Sequence, residues 1–247
     1  MNLYKYAAPV AFYPLAGRLI PCFWTLAALF GLAGLYLGLV AAPTDFQQGE
    51  AYRIIFIHVG AAWMSMFIYL VMAFWGAINL AFNTRLSGMM TEALAPTGTL
   101  FAFLSLLTGA FWGKPMWGTW WLWSDPRLMS SLVLFFLYAG FLALTHAIEE
   151  KRRADRAGAI LLLAGVVNIP IIYFSVEWWN SLHQGASVSV SKGSSMAAIM
   201  LWGMLLMALA MWMYTIAVAL TRVRILILER ERRSEWVRTL LLSAPRV

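Results

Sequence analysis

The sequence predicts an all-α integral membrane protein, a six-transmembrane-helix bundle formed as a single domain over residues 1–247. Composition is the first reason: 62% of the residues are hydrophobic and only 12% are charged, whereas soluble domains carry about 25% charged residues. So few charges cannot cover the surface of a soluble enzyme of this size. An aromatic content of 15% also excludes a disordered chain.

The second reason is that six stretches contain no Asp, Glu, Lys or Arg. Each is 20 to 31 residues long, and about 20 helical residues cross a hydrocarbon core of about 30 Å. Backbone groups inside lipid must be satisfied within their own segment, which favours helices, and no alternating pattern supports a β-barrel. The expected spans are 19–42, 54–82, 93–112, 128–148, 157–177 and 197–221.

The basic residues predict the orientation of the bundle. With six spans both termini lie on one side, and 14 of the 18 Lys and Arg residues fall on that side. The positive-inside rule therefore places both termini in the cytoplasm, where the tail 222–247 is expected to form a surface helix or a subunit contact. The net charge of +7 indicates topology and attraction to anionic lipid rather than nucleic-acid binding. The outer side holds the remaining basic residues, Arg53, Lys114, Arg127 and Lys192.

Several kinds of chemistry have no residues to support them. Cys22 is the single cysteine, so no intrachain disulfide is expected, and no C-x-x-C-H motif marks a c-type cytochrome. The segment GAFWGKP at 109–115 is too short for a phosphate-binding loop and has Pro115 in place of Ser or Thr. If ATP is required, another subunit must bind it. No catalytic acid–base group stands out, so whether the chain is an enzyme stays open.

The outer connection at 112–127 (WGKPMWGTWWLWSDPR) contains five of the 13 Trp residues, which gives a Trp-rich loop. Gly113, Pro115 and Gly118 predict that no continuous helix runs through it. Trp prefers the membrane interface, so an aromatic belt is one interpretation. Clustering within one loop favours another, a flat aromatic platform for a large planar ligand.

The three histidines separate by side. His146 precedes a run of charged residues at the inner surface and is expected to make a local hydrogen bond. His58 and His183 belong to the outer half, and His58 shares a weakly polar helical stripe with Ala62 and Ser65. Two such histidines on either side of the Trp-rich loop suggest axial ligation of a haem iron. The residues alone leave open the alternative of two unrelated, hydrogen-bonded histidines.

Charged outer residues supply candidates for the polar edges of such a ligand. Haem propionates require cations, and Arg53, Arg127, Lys114 and Lys192 are the basic residues on that side. Asp125 precedes Pro126 and an apolar run, a pattern typical of a helix start, which predicts that Asp125 caps the fourth helix. In the alternative, Asp125 faces the ligand and orients an indole or an arginine.

Three segments carry a resemblance to a known family. WGKPMWGTWWLWSDPRL resembles the "WWD" signature of haem-handling membrane proteins. Together with YRIIFIHVGAAWMS and VNIPIIYFSVEWWNSLHQG, it is similar to the CcmC family of the bacterial cytochrome c maturation system I. The likeness extends over residues 18–228 with the same six-helix layout. One departure is Ser124, which separates Trp123 from the acidic residue that usually follows it directly.

The resemblance implies a definite task. His58 and His183 would be the axial ligands of a non-covalently held haem b at the periplasmic face of the inner membrane. The family's haem-contacting loop falls on Trp117, Gly118, Trp120, Trp121 and Trp123. The chain would present a haem vinyl edge to the haem chaperone CcmE. Its other partners would be the ABC-type subunits CcmA and CcmB and the small protein CcmD.

Three other functions compete with this one. A cytochrome c synthase would need more outer histidines, and a b-type cytochrome that carries electrons usually needs four well-placed histidines where this chain has three. A haem permease could use polar groups at midplane such as Asn168, although an amide packed beside Pro170 explains that residue equally well. Likewise, Gly34 and Gly38 are expected to serve close helix packing.

Overall fold

The computed structural model describes residues 3–183, 188–189, 193–194 and 196–243. The α-helices are α1 Pro9–Leu35, α2 Ile55–Phe82, α3 Arg85–Trp117, α4 Pro126–Ala147, α5 Lys151–Gly165, α6 Asn168–Trp178, α7 Ala198–Arg230 and α8 Glu235–Ser243. A π-helical segment Tyr36–Ala41 extends α1, and short 3-10 helices cover Leu3–Ala7 and Glu50–Ile54. Two short strands, β1 Val188–Ser189 and β2 Gly193–Ser194, pair antiparallel between α6 and α7.

Six helical segments within the described residues are long and apolar enough to cross a membrane, which confirms the predicted six-helix bundle. They are Pro9–Ala41, Glu50–Phe82, Arg85–Trp117, Pro126–Ala147, Lys151–Trp178 and Ala198–Arg230. Every predicted span lies inside one of them to within a residue. We call the end that carries the connections after α1, α3 and α6 the outer end, and the opposite end the inner end.

The helix α2 lies at the centre of the bundle and packs against α3, α5 and α7. The core around it is aromatic. Tyr69 and Tyr138 are both fully buried, their rings meet edge to face at 5.3 Å, and the hydroxyl of Tyr138 donates to the Ser65 carbonyl at 2.7 Å. By contrast, α1 lies at the periphery and is held mainly by α7.

The glycines of the first span make close packing possible, as predicted. A Cβ at Gly34 would lie 2.8 Å from the Met207 side chain, and one at Gly38 would lie 2.6 Å from the Phe56 ring. Neither contact is tolerable, so these positions let α1 and its π-helical extension approach α7 and α2 closely.

The expectation that no continuous helix runs through the Trp-rich loop is confirmed at Gly118 but wrong at Gly113 and Pro115. The helix α3 passes through Gly113 and Pro115 and ends at Trp117, so only 118–125 is non-helical. A proline in the last turn removes one backbone hydrogen bond near the helix end, where the loss is small. Gly118 then ends the helix in the left-handed region at φ 74°, and its N–H bonds the Lys114 carbonyl at 3.1 Å.

The fifth span is interrupted rather than projecting outward. The helix α5 stops at Gly165 and α6 begins at Asn168, because Pro170 has no N–H for the preceding turn. The amide of Asn168 donates to the Ser130 carbonyl at 2.9 Å, so the packed-amide interpretation is confirmed. Gly185 suits a helix C-terminus, so the sequence predicts that this helix projects to about Gln184. That prediction is wrong, since α6 ends at Trp178 and Trp179 is extended.

Candidate functional site

The two outer histidines lie together at the outer end of the bundle, although 125 positions separate them in the sequence. His58 belongs to the first turn of α2, and His183 follows α6 by five residues. Their ring centroids are 6.4 Å apart with an interplanar angle of 36°. Both rings line one small cavity between α2, α3, α4 and α6.

This separation suits a metal ion held between two imidazoles. Metal–imidazole bonds are about 2 Å long, so two rings that bind one metal from opposite sides have centroids roughly 6 Å apart. The enclosed cavity has a volume of about 40 Å³, which holds a few water molecules at most. The donor pair therefore fits a haem iron, whereas the body of a porphyrin would have to occupy space beyond this cavity.

Helix α3 holds the imidazole of His58. The His58 Nδ1 lies 3.0 Å from the Thr108 hydroxyl oxygen. Gly109, the next residue, lies against the ring, because a Cβ built there would be 3.1 Å from His58 Cε1. One turn later, the buried Trp112 meets the same ring edge to face at 5.7 Å.

Asp125 holds the segment that carries His183. One carboxylate oxygen accepts from the backbone N–H groups of Arg127 and Leu128 at 2.9 and 3.0 Å, which confirms that Asp125 caps α4. The other oxygen accepts from the Ser181 hydroxyl at 2.8 Å and the Leu182 N–H at 2.9 Å. The N–H of His183 then donates to the Ser181 hydroxyl at 3.1 Å. Asp125 is only 1% exposed, so a single buried carboxylate fixes both the helix start and the His183 segment.

Electrostatics keep this part of the site in a defined charge state. Burial alone would raise the pKa of Asp125, but the hydrogen bonds from Leu128, Ser181 and Leu182 hold that pKa below its usual value. Burial, together with the positive charge of Arg127, lowers the pKa of His183 to about 4. The ring is therefore neutral at physiological pH, the form of histidine that binds metals. Its Nδ1 is buried and has no hydrogen-bond partner among the described residues.

The aromatic residues of the connection divide into those that contact the histidines and those that lie further along the loop. Trp117 contacts His183 at a centroid distance of 5.4 Å and Trp112 at 6.1 Å, so these two rings frame the histidine pair. Trp120 and Trp123 instead project outward, with 52% and 72% of their surface exposed. Trp121 packs edge to face on Trp123 at 5.8 Å, and its indole N–H is buried without a partner among the described residues.

Of the propionate candidates that the structure describes, Arg127 alone lines the histidine cavity. Arg53 is occupied elsewhere: it pairs with Glu50 and donates to the carbonyls of Gly38 at 2.7 Å and Ala42 at 3.0 Å. Lys114 donates to the Gly118 carbonyl at 3.0 Å. Lys192 lies outside the described residues. Arg53 and Lys114 therefore stabilise the outer connections, and Arg127 is the cation best placed for an anionic group.

His146 lies apart from the site, as expected. Its ring is exposed at the inner end of α4, and its Nδ1 makes a local hydrogen bond with the Leu142 carbonyl at 2.7 Å. The local-hydrogen-bond prediction is confirmed.

Sequence reasoning missed the residues that support the histidines. Thr108 and Ser181 are single hydroxyl residues without a motif around them. Gln48, from the first outer connection, accepts a hydrogen bond from the indole of Trp112 at 3.1 Å. The helical spacing of Thr108 and Trp112 was the one available signal, because it places both on one face of α3.

Comparison with known proteins gives a consistent result. A family model described as Heme exporter protein C matches residues 2–238. Heme exporter protein C of Escherichia coli strain K12 is 46% identical over 211 residues, which are 84% of this chain and 86% of that protein. The protein of the same name from Bradyrhizobium diazoefficiens is 45% identical over 209 residues, 85% and 79% of the two chains. A putative cytochrome c biosynthesis ccmC-like mitochondrial protein from Marchantia polymorpha is 46% identical over 184 residues, 74% and 75%.

Proposed function

Since the chain belongs to the Heme exporter protein C family, we propose that it holds haem b at the periplasmic face of the bacterial inner membrane and presents it to the chaperone CcmE. The observation that carries the proposal is the pair of imidazoles of His58, which is buried, and His183, which is partly buried, at 6.4 Å across one cavity. Haem is the cargo of this site, and its covalent capture belongs to the chaperone.

The residues around the cavity have different roles under this proposal. His58 and His183 ligate the iron from opposite faces, and Trp112 and Trp117 supply aromatic walls beside them. Arg127, which lines the cavity and makes no ion pair within the described part of the chain, supplies positive charge for a propionate. Arg127 is partly buried, and a partly desolvated cation attracts an anionic group more strongly than an exposed one, so a propionate of the cargo would be stabilised there.

The exposed indoles suit a surface that another protein contacts. Trp120 and Trp123 are large apolar side chains that reach into the surroundings of the outer end. Aromatic residues of this kind are enriched where proteins bind each other. We therefore assign these two side chains to presentation, that is, to holding the exposed haem edge and the docked chaperone CcmE together.

The other partners follow from the resemblance to the CcmC family, which implies the ABC-type subunits CcmA and CcmB and the small protein CcmD. We assign ATP hydrolysis to CcmA and CcmB, because no nucleotide-binding loop is recognised in the sequence of this chain. The basic inner side and the outer site are consistent with a multi-pass protein whose termini are cytoplasmic. This chain then contributes binding and orientation rather than a chemical step.

The proposal is tested by absorption spectroscopy of the protein purified from haem-replete cells. We expect a low-spin spectrum with two nitrogen ligands, and we expect His58→Ala and His183→Ala each to disturb it and to abolish loading of CcmE. His146→Ala is the control, because its ring lies at the other end of α4. A wild-type spectrum in both outer variants, or purified protein without haem, would refute the assignment.

A further inference from the structure

The hydroxyl of Thr108 occupies a position from which it can decide which nitrogen of His58 faces the cavity. Thr108 belongs to α3 and His58 to α2, and the two side chains meet at 3.0 Å between Oγ1 and Nδ1. A neutral imidazole carries its proton on one nitrogen and a free electron pair on the other. Only the nitrogen with the free pair can bind a metal, so the proton's location matters for any ligand of this site.

The hydrogen bonds of Thr108 indicate where that proton lies. Its Oγ1 is 2.5 Å from the Leu104 carbonyl oxygen in the preceding turn of α3. A carbonyl only accepts, so the single hydroxyl proton of Thr108 points to Leu104. The proton shared with His58 must then come from the imidazole. We infer that Thr108 accepts the Nδ1–H of His58 and is the positioning residue that directs the free pair of Nε2 towards the cavity.

Gly109 also helps to hold the His58 ring against α3. A Cβ there would lie 3.1 Å from His58 Cε1, so the missing side chain lets the ring lie close to α3 with its Nδ1 at the hydroxyl. Trp112, also in α3, meets the ring edge to face at 5.7 Å. Three residues of one helix face therefore fix the position, tilt and tautomer of a side chain on another helix. Acceptors of this kind raise the basicity of a metal-binding histidine.

The tautomer can be measured without haem. We would label histidine with ¹⁵N, prepare the haem-free protein in detergent, and assign the three imidazoles with His146→Ala and His183→Ala. The expected result is the Nδ1–H form for His58 in the wild type and in Thr108→Ser, which keeps the hydroxyl. Thr108→Val removes it at nearly constant volume and should shift His58 towards the Nε2–H form.

A matched control lies on the same helix. Thr99 also donates from its hydroxyl to the carbonyl four residues earlier, at 2.8 Å to Ala95, and makes no hydrogen bond with a histidine among the described residues. Thr99→Val should therefore leave the His58 tautomer unchanged. An Nε2–H form in the wild type, or the same tautomer in Thr108→Val as in Thr99→Val, would overturn the inference.

A second measurement rests on the proposed function. With haem bound, Thr108→Val should lower haem affinity about tenfold and raise the midpoint potential of the iron, because the His58 ligand donates less charge. Gly109→Ala should lower affinity by displacing the ring, while Gly140→Ala, where the nearest atom is 3.9 Å from the new Cβ, should not. If no variant binds haem, the proposed function fails while the tautomer measurement still decides the role of Thr108.

Discussion

The outer and inner ends of this bundle use their polar residues in opposite ways. At the inner end, Arg230 of α7 pairs with Glu92 of α3 and with Asp155 of α5, at 2.6 and 2.9 Å to the two Asp155 oxygens. Next to it, Glu231 accepts from Arg85 at 3.3 Å and from the Trp236 indole at 2.9 Å. We call these five residues and Trp236 the inner cluster.

At the outer end two ring nitrogens are left without partners. The Nδ1 of His183 and the indole N–H of Trp121 are buried and unpaired within the described residues. Arg127 lines the histidine cavity and makes no ion pair within the described residues. Asp125 is the exception, since both of its oxygens are engaged.

The contrast distinguishes a structural use of polar groups from a binding use. Buried polar groups without partners cost free energy, and they persist where a ligand supplies the missing contact. The inner cluster ties three membrane helices together through ion pairs, although the Arg230 Nε is itself buried without a partner among the described residues. The outer end has no such network of ion pairs around the histidine cavity within the described residues. Damage to the inner cluster should therefore affect folding, and damage to the outer end should affect binding.

The largest effect on stability is expected from the inner cluster. Arg230→Ala leaves Glu92 and Asp155 largely buried without a counter-ion, which should cost on the order of 3 kcal/mol. Thermal unfolding in detergent would measure the loss. The haem spectrum of the fraction that stays folded should be that of the wild type.

Arg153→Ala is the control for this experiment. Arg153 also pairs with a carboxylate, Glu150, but its side chain is 85% exposed, so its removal should change stability little. Equal destabilisation by the two substitutions would mean that burial of the inner cluster does not matter.

Asp125 gives the sharpest comparison at the outer end. Asp125→Asn keeps an oxygen that can cap α4, but its NH₂ group cannot accept from Ser181 and Leu182. We expect haem retention to fall at least tenfold because the His183 segment is released, with a small change in melting temperature. Asp125→Ala also removes the cap and should cost about 1 kcal/mol more. Normal haem retention in Asp125→Asn would mean that Asp125 only caps α4 and does not hold the His183 segment.

The exposed indoles should matter less for haem and more for transfer. Replacing Trp120 and Trp123 together with Ala leaves both imidazoles, Trp112 and Trp117 in place, so the low-spin spectrum should persist. Co-purification with CcmE and loading of the chaperone should fall several-fold. Trp24→Ala, at an exposed indole of α1, is the control. Unchanged loading in the double variant would mean that Trp120 and Trp123 serve only as an aromatic belt at the membrane interface.

Much of this organisation was predictable from the sequence, for identifiable physical reasons. Charge-free stretches give the spans because lipid excludes charge, and Asp-Pro before an apolar run predicts the α4 cap. The pairing of His58 with His183 was only one of two open interpretations. The hydrogen bond between Asp125 and Ser181 could not be predicted, because it joins residues 56 positions apart through a single hydroxyl group. The same holds for the contact between His58 and Thr108, which are 50 positions apart. The extent of α3 was mispredicted because local propensity overestimated the effect of Pro115 near a helix end.

The smallest predicted effect concerns Gly118, where α3 turns into the loop that carries the exposed indoles. Its φ of 74° lies in the left-handed region, and no atom lies within 4 Å of the position a Cβ would take. Gly118→Ala should therefore cost only the backbone preference, about 1 kcal/mol, and Gly118→Asn should cost less because Asn tolerates this region. Thermal unfolding would rank the three proteins. Haem retention should fall by no more than about fivefold, since about 1 kcal/mol gives a change of that size even if all of it reached the site. A much larger loss of haem in Gly118→Ala, with a similar loss in Gly118→Asn, would contradict this expectation. It would mean that the turn at Gly118 positions the histidine pair directly.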